Sequence, residues 1–203
     1  MGRRALTGNA RLVQIGTNTR ACTDRIVRVW DMATPVDVAR GAEWYADAGR
    51  ICTEQAEATG YSRETVAAVI SHLSPRTSWS RNVAGAISLL HGGDAAGCIG
   101  DNIKRARRAL VSPTPLETFG PDAPKTRRFA RNILGDRDQV TVDVWAARVA
   151  FGDRFDDPET VLGWVNVYDA VEHAYRLAAQ RAGVDPTTMQ ATTWIVARNG
   201  RAD

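Results

Sequence analysis

The sequence predicts an all-α protein, and three observations lead to this fold class. Apolar residues recur at the three- and four-residue spacing of an amphipathic helix through most of the chain. No window shows the strict alternation of apolar and polar residues that is typical of a β-strand. Hydrophobic residues make up 44% of the 203 residues, which is enough to fill the core of a single domain, or of one domain with two lobes.

An irregular basic arm is predicted over residues 1–22. After it, residues typical of helix starts and ends predict four helices in the first half of the chain. Pro35 stands at a typical helix start. Ser62 is a good N-cap, with Glu64 in the first turn of the helix that follows. Gly60 and Gly92 are typical of helix ends. In chain order, these helices are predicted over residues 24–32, 35–58, 63–73 and 79–90.

The second half combines two basic helices with a rigid turn. The Gly/Pro turn at 120–124 cannot lie inside a helix, and Gly135 ends the helix after it. A short extended segment over residues 139–142 leads into the next helix. Pro158 marks a further helix start, and the apolar residues from Trp164 to Ala182 form one long stripe. The predicted helices cover residues 102–111, 125–134, 144–150, 164–182 and 186 onward.

Composition excludes several classes of protein. The three cysteines, Cys22, Cys52 and Cys98, lie too far apart for a disulfide framework or a zinc site. No run approaches the roughly 18 apolar residues that a membrane helix needs. The start of the chain does not resemble a signal peptide. We therefore expect a cytoplasmic protein without a cofactor or metal.

Positive charge is clustered although the net charge is only +3. Two blocks of basic residues lie on predicted helices, and acidic residues concentrate elsewhere. Such an uneven distribution favours a phosphate-rich partner, while the alternative is that each block is a solvated helix face. The basic residues are Lys104, Arg105, Arg107, Arg108, Lys125, Arg127, Arg128 and Arg131; the acidic residues are Asp153, Asp156, Asp157 and Glu159.

Asp143 is the first candidate for a functional acid. It stands between Val142 and Val144 at the start of a predicted helix, where the helix dipole favours a negative charge. The alternative is that Asp143 only caps the helix, as aspartate often does. Lys125, at the start of the preceding helix, is the candidate amine.

The order turn, lysine, helix, extended segment, aspartate and helix over residues 118–148 resembles the helix-hairpin-helix (HhH-GPD) DNA glycosylase superfamily. Lys125-Thr126 and Val142-Asp143 match that family's Lys-Thr and Val-Asp pairs, at the same separation. The chain departs from the family pattern at Pro121 and Ala123, which occupy the glycine places of the hairpin, with Gly120 one residue early. The chain also lacks the four-cysteine iron–sulfur loop of endonuclease III.

A second segment, residues 74–82, resembles the family's loop that faces the extruded base. Trp79 or Arg76 could fill the gap that the extruded base leaves in the duplex, or stack on a base. The alternative for Trp79 is a core position. The resemblance implies a two-lobed helical bundle with a cleft between the lobes, within residues 23–203. The DNA-binding residues that it implies are Arg76, Thr77, Trp79, Asn82, Gly120, Ala123, Thr126, Arg127 and Arg128.

The activity that the resemblance implies is cleavage of the N-glycosidic bond of a damaged or modified base flipped out of duplex DNA. Asp143 would stabilise the sugar cation and activate the nucleophile. Lys125 would supply an attacking amine, giving a Schiff base and lyase activity, or else a phosphate contact.

Three alternatives remain open. The segment from Met189 to Arg198 resembles phage-borne relatives grouped with enzymes proposed to act on α-glutamyl- or putrescinyl-thymine, which favours a base-exchange or hypermodification enzyme of phage DNA. A non-catalytic helix-hairpin-helix module would keep the basic blocks without needing Asp143. A helical protein that only binds other proteins would need neither the basic blocks nor Asp143.

Overall fold

The computed structural model describes residues 7–152 and 154–198, and within them every regular element is helical. This confirms the all-α prediction. No helix among these residues is both long and apolar enough to cross a bilayer. The α-helices are α1 Gly8–Gln14, α2 Thr19–Trp30, α3 Pro35–Thr59, α4 Arg63–Leu73, α5 Trp79–Leu90, α6 Gly100–Val111, α7 Pro124–Ile133, α8 Val144–Phe151, α9 Pro158–Leu162, α10 Val167–Ala182 and α11 Pro186–Ala197, with a 3₁₀ helix at Pro115–Thr118.

The prediction of an irregular arm over residues 1–22 is wrong for the part of it that is described. Residues from Gly8 onward form α1 and the start of α2. Thr7 and Asn18 cap these helices by accepting hydrogen bonds from backbone N–H groups three residues ahead. Leu12 is fully buried, so α1 is part of the core. Residues 1–6 of the predicted arm lie outside the described residues, as does Asp153 of the predicted acidic cluster.

The predicted long helix begins later than its apolar stripe suggests. Asn166 adopts a left-handed conformation with φ of +66°, so α10 starts at Val167. Trp164, predicted to lie on this helix, precedes it and is 43% exposed. The backbone conformation of Asn166 decides where the helix starts, although the apolar spacing of the side chains continues before it. A residue in the left-handed conformation cannot continue a right-handed helix.

The chain forms two compact units. One combines the described residues up to Glu43 with those from Arg137 onward, and the other is Trp44–Asp136; one boundary therefore falls inside α3. In the first unit, α2, α8 and α10 surround one apolar core that also takes residues from α1 and α11. The largest fully buried side chains of this core are Tyr175, Phe151, Leu12, Ile26 and Met189.

Helix α4 is the centre of the second unit. Every residue from Thr65 to Leu73 is buried, because α5, α6, α7 and the 3₁₀ helix all pack around it. Ser62 caps α4 as predicted, accepting from the backbone N–H of Thr65 at 3.1 Å. Gly135, at φ of +99°, ends α7 as predicted, with the backbone hydrogen bonds of a Schellman motif.

Candidate functional site

Asp143 is the N-cap of α8, and both of its carboxylate oxygens accept a hydrogen bond. Oδ1 accepts from the backbone N–H of Ala146 at 2.8 Å, and Oδ2 accepts from the indole Nε1–H of Trp194 at 2.9 Å. The residue is only half-buried. An ionised carboxylate has about four acceptor positions. The two bonds therefore fix its orientation and leave further acceptor positions for an incoming group.

The segment before Asp143 is held by one tyrosine. The hydroxyl of Tyr168 donates to the carbonyl of Val140 at 3.0 Å and accepts from the backbone N–H of Val142 at 3.0 Å. Val140 and Val142 are themselves buried. An extended segment with no neighbouring strand thereby has its backbone groups satisfied, which fixes where α8 starts.

A second buried tyrosine supports α8 from the other side of its first turn. The Tyr175 hydroxyl donates to the carbonyl of Ala146 at 3.0 Å. Burial raises the pKa of Tyr175 above its usual range, and the negative charge of Asp143 adds to this effect. Tyr175 consequently remains a neutral donor throughout the pH range in which the protein would function.

Trp194 is the functional candidate that sequence reasoning missed as a partner of Asp143. It lies on α11, and the guanidinium of Arg198 lies 4.4 Å from the centre of its indole ring. Arg148 lies in the same way 4.8 Å from the ring centre of Trp145, on α8. Trp194 and Arg198 belong to the 189–198 segment that resembles the phage-borne relatives. No feature of the sequence predicts the hydrogen bond between Trp194 and Asp143.

Lys125 lies in the first turn of α7, in the unit Trp44–Asp136, and is half-buried. Its side-chain amine has no hydrogen-bond or ion-pair partner among the described residues. The turn before it closes with a hydrogen bond from the backbone N–H of Ala123 to the carbonyl of Gly120, at 3.1 Å. The side chains of Thr126 and Arg127 donate to the carbonyls of Ala123 and Gly120, at 3.2 and 2.8 Å. Two predicted DNA-binding side chains thus help to hold the turn itself.

The loop between α4 and α5 carries the other predicted DNA contacts. Arg76 is exposed and adopts a left-handed conformation, with φ of +57°. Thr77 donates to the carbonyl of Pro75 at 3.3 Å. Asn82 is buried, and its Oδ1 has no partner among the described residues. Arg128 is half-buried on α7.

Trp79 belongs to an aromatic cluster. Its ring centre lies 5.2 Å from that of Trp44 and 6.3 Å from that of Phe129, and Tyr45 packs on Trp44 at 4.7 Å. Trp79 and Trp44 are both half-buried, whereas Tyr45 and Phe129 are buried. Trp79 therefore packs as a structural residue and still exposes part of its ring.

A groove of about 330 Å³ lies beside the turn at 120–123. It contains three of the predicted DNA-binding residues, Gly120, Ala123 and Thr126. Its positive charge comes from Arg105 and Arg108 of α6. The full lining is His72, Pro75, Asn102, Arg105, Arg108, Thr118, Phe119, Gly120, Asp122, Ala123 and Thr126.

His72 is the buried titratable group of this groove, with 4% of its surface exposed. Its ring stacks on Phe119 at 4.3 Å, and its Nε2 lies 2.8 Å from the hydroxyl of Thr118. That hydroxyl already donates its one proton to the carbonyl of Pro115, at 2.6 Å. Nε2 must therefore carry the proton that is shared with Thr118, which leaves Nδ1 of the neutral ring with a lone pair.

Burial lowers the pKa of His72 to about 4, and the charges of Arg105 and Arg108 contribute to the same effect. The folded protein consequently keeps this imidazole neutral, while the unfolded chain protonates it from about pH 6.5 downward. The unfolded state binds the extra proton, so the free energy of unfolding falls as the pH falls from 6.5 to 4, by roughly 3 kcal/mol at most.

We expect imidazole NMR to show this difference directly. The His72 signals should remain those of a neutral Nε2–H ring at pH 5.5. His72 signals of a protonated ring at pH 5.5 would contradict the buried, arginine-flanked position.

The comparisons with known proteins give one match. No curated protein and no solved structure matches the chain. The model of a family of unknown function, DUF7178, matches residues 9–201, a range that includes all the candidate residues above. The chain therefore belongs to the DUF7178 family, a family of unknown function.

Proposed function

We propose that the protein is an N-glycosylase that acts on DNA, with a helical bundle of the helix-hairpin-helix glycosylase type. The observation that carries this proposal is the Asp143 carboxylate, which is oriented by Ala146 and Trp194 and remains half-exposed. Its place at the N-terminus of α8 stabilises the negative charge. An oriented, charged carboxylate is the group that cleavage of a glycosidic bond requires.

Breaking the bond between a base and its sugar develops positive charge at C1′. A carboxylate next to C1′ stabilises that charge and accepts a proton from the attacking water. The water oxygen forms the new bond to C1′, while the base leaves with the electron pair of the broken bond and takes up a proton. In this scheme Trp194 is a positioning residue, because it holds Oδ2 and leaves the open lone pairs of the carboxylate for the reaction.

Lys125 is the attacking amine in this proposal. An amine that attacks C1′ displaces the base and forms a Schiff base with the opened sugar, which leads to strand cleavage. A lysine without an ion-pair partner among the described residues is available for this role. The substrate we propose is a damaged or modified base flipped out of duplex DNA, which costs on the order of a few kcal/mol.

Borohydride trapping tests the amine. We expect the wild-type protein and Lys104→Ala to form a covalent adduct with an oligonucleotide that it acts on, and Lys125→Ala to form none while still releasing the base. Lys104 is a matched control, because it is a surface lysine of α6 paired with Asp101 at 3.1 Å. Equal adduct yields from Lys125→Ala and wild type would exclude Lys125 as the attacking amine.

A second candidate function is non-catalytic binding of nucleic acid. The observation that favours it is the groove with Arg105 and Arg108, which have no hydrogen-bond or ion-pair partners among the described residues. Binding of nucleic acid by these two arginines would not require the Asp143 carboxylate. Affinity for DNA without release of any base, across damaged and modified substrates, would support this candidate over the glycosylase.

A further inference from the structure

The lead-in segment, residues 138–142, leads to Asp143 without belonging to a helix or a strand. Val140 and Val142 of this segment are buried, so their backbone N–H and C=O groups need partners inside the protein. Side chains of α10 supply such partners. The Tyr168 hydroxyl bonds the backbone of both valines, as described above, and two more side chains of α10 bind the same segment.

Glu172 is the buried carboxylate of α10 at this position. It is 2% exposed, and its Oε1 accepts from the backbone N–H of Val140 at 3.4 Å and from the Arg176 guanidinium at 2.8 Å. Nε of Arg176 in turn donates to the carbonyl of Asp138 at 3.1 Å. A carboxylate buried this deeply is costly unless its charge and lone pairs are matched, and these donors provide such a match.

The spacing of the three α10 side chains matches the spacing of their backbone partners. Tyr168, Glu172 and Arg176 lie one turn apart on one face of α10. Their partners in the lead-in segment lie two residues apart. Four helical residues advance about 6 Å, and two extended residues advance about 6.6 Å. The row of side chains therefore takes the place of the neighbouring strand that an extended segment has in a sheet.

The other side of this part of the chain is bound by α11. The Thr187 hydroxyl lies 2.8 Å from the carbonyl oxygen of Arg137 and 3.2 Å from that of Gln139. Odd-numbered residues thus face α11 and even-numbered residues face α10, which is the alternation of an extended chain. Helix α11 also carries Trp194, the partner of Asp143. A shift of the lead-in segment along α10 would consequently move the Asp143 backbone relative to the Trp194 indole.

We infer that Glu172 is a positioning residue, whose buried carboxylate fixes the lead-in segment on α10 and thereby sets where Asp143 lies against Trp194. The direct bonds of Asp143 orient its carboxylate, whereas Glu172 acts on the backbone that carries this carboxylate. The catalytic consequence rests on the proposed N-glycosylase function, but the placement of Asp143 does not. Misplacing a reacting group by about 1 Å can lower a rate about a hundredfold.

The NMR signal of the Trp194 indole N–H tests the placement without any chemistry. In the wild type it should have the shift of an indole bonded to a carboxylate, and the exposed Trp164 provides the reference signal of a solvent-exposed indole. Glu172→Leu removes the acceptor and keeps a side chain of similar length. We expect it to move the Trp194 signal toward that of Trp164 and to make the Val140 amide exchange with solvent about tenfold faster.

A second variant keeps the test decisive if Glu172→Leu does not fold. Arg176, with 39% of its side chain exposed, is the charge partner of Glu172, so Arg176→Gln should change both signals in the same direction. Thr23→Val is the control, because it removes a buried hydroxyl of α2 that donates to the Ala174 carbonyl of α10 at 3.3 Å. It should leave both signals unchanged. Unchanged signals in the folded variants of Glu172 and Arg176, or equal changes in Thr23→Val, would overturn the inference.

Base release adds the catalytic measurement, on a substrate from which the wild type releases base. We expect Glu172→Leu to lower kcat about a hundredfold per folded protein, with KM unchanged. Glu172→Gln should recover part of this loss, because its amide oxygen can still accept from Val140. Altered NMR signals in a protein whose wild type releases no base would refute the glycosylase and leave the positioning role in place. An unchanged kcat in Glu172→Leu would overturn the inference and leave the glycosylase in place.

Discussion

Asp143→Asn is expected to lower the rate of base release about a thousandfold, while the affinity for DNA stays the same. The reason is that an amide carries no negative charge with which to stabilise the sugar cation. Asparagine still caps α8, because its one oxygen can accept from Ala146 or from Trp194, although not from both. The stability cost should be on the order of 1 kcal/mol, which leaves the variant folded for the assay.

Asp157→Asn provides the matched control for this variant. Asp157 is also an aspartate N-cap, which accepts from the backbone N–H of Thr160 at 3.2 Å, and it is exposed. Its replacement should leave base release unchanged. Equal rates for Asp143→Asn and wild type, measured on the same oligonucleotide, would reduce Asp143 to a structural cap.

Gly41→Ala is expected to destabilise the protein by about 3 kcal/mol. Gly41 lies in α3 against α11, where an added Cβ would come within 2.8 Å of both the backbone nitrogen and the Cα of Thr192. Both residues belong to the same compact unit. Backbone atoms cannot move aside as a flexible side chain can, so the two helices would have to separate.

Thermal unfolding measures the effect. For a chain of this size, a loss of about 3 kcal/mol lowers Tm by on the order of 10 °C. Gly100→Ala is the control, because a Cβ at Gly100, the first residue of α6, meets nothing within 4 Å. A Gly41→Ala protein that melts together with Gly100→Ala would show that α3 and α11 are less closely packed than described.

The features that the sequence predicts correctly are local. The Ser62 cap of α4 and the stop at Gly135 each depend on a few adjacent residues. The turn predicted at 120–124 ends one residue earlier, because Pro124 is the first residue of α7. This turn and the start of α8 at Asp143 are local in the same sense, since proline and an aspartate cap act on their own neighbours.

The features that the sequence does not predict depend on contacts between distant residues. Helix α1 has only seven residues, and it forms because Leu12 enters the core and Gly8 packs closely on Ala170 of α10. The bond between Trp194 and Asp143 joins two helices that are far apart in the chain. The same holds for His72, whose partner Thr118 lies on the 3₁₀ helix.

The most direct test of the proposed function is the release of free base from DNA. A panel of duplex and single-stranded oligonucleotides with damaged and hypermodified bases, incubated with wild type and with Asp143→Asn, would be analysed for free base by mass spectrometry. We predict that at least one substrate yields free base with the wild type and almost none with the variant. A folded wild-type protein that binds these oligonucleotides and releases no base from any of them would contradict the account.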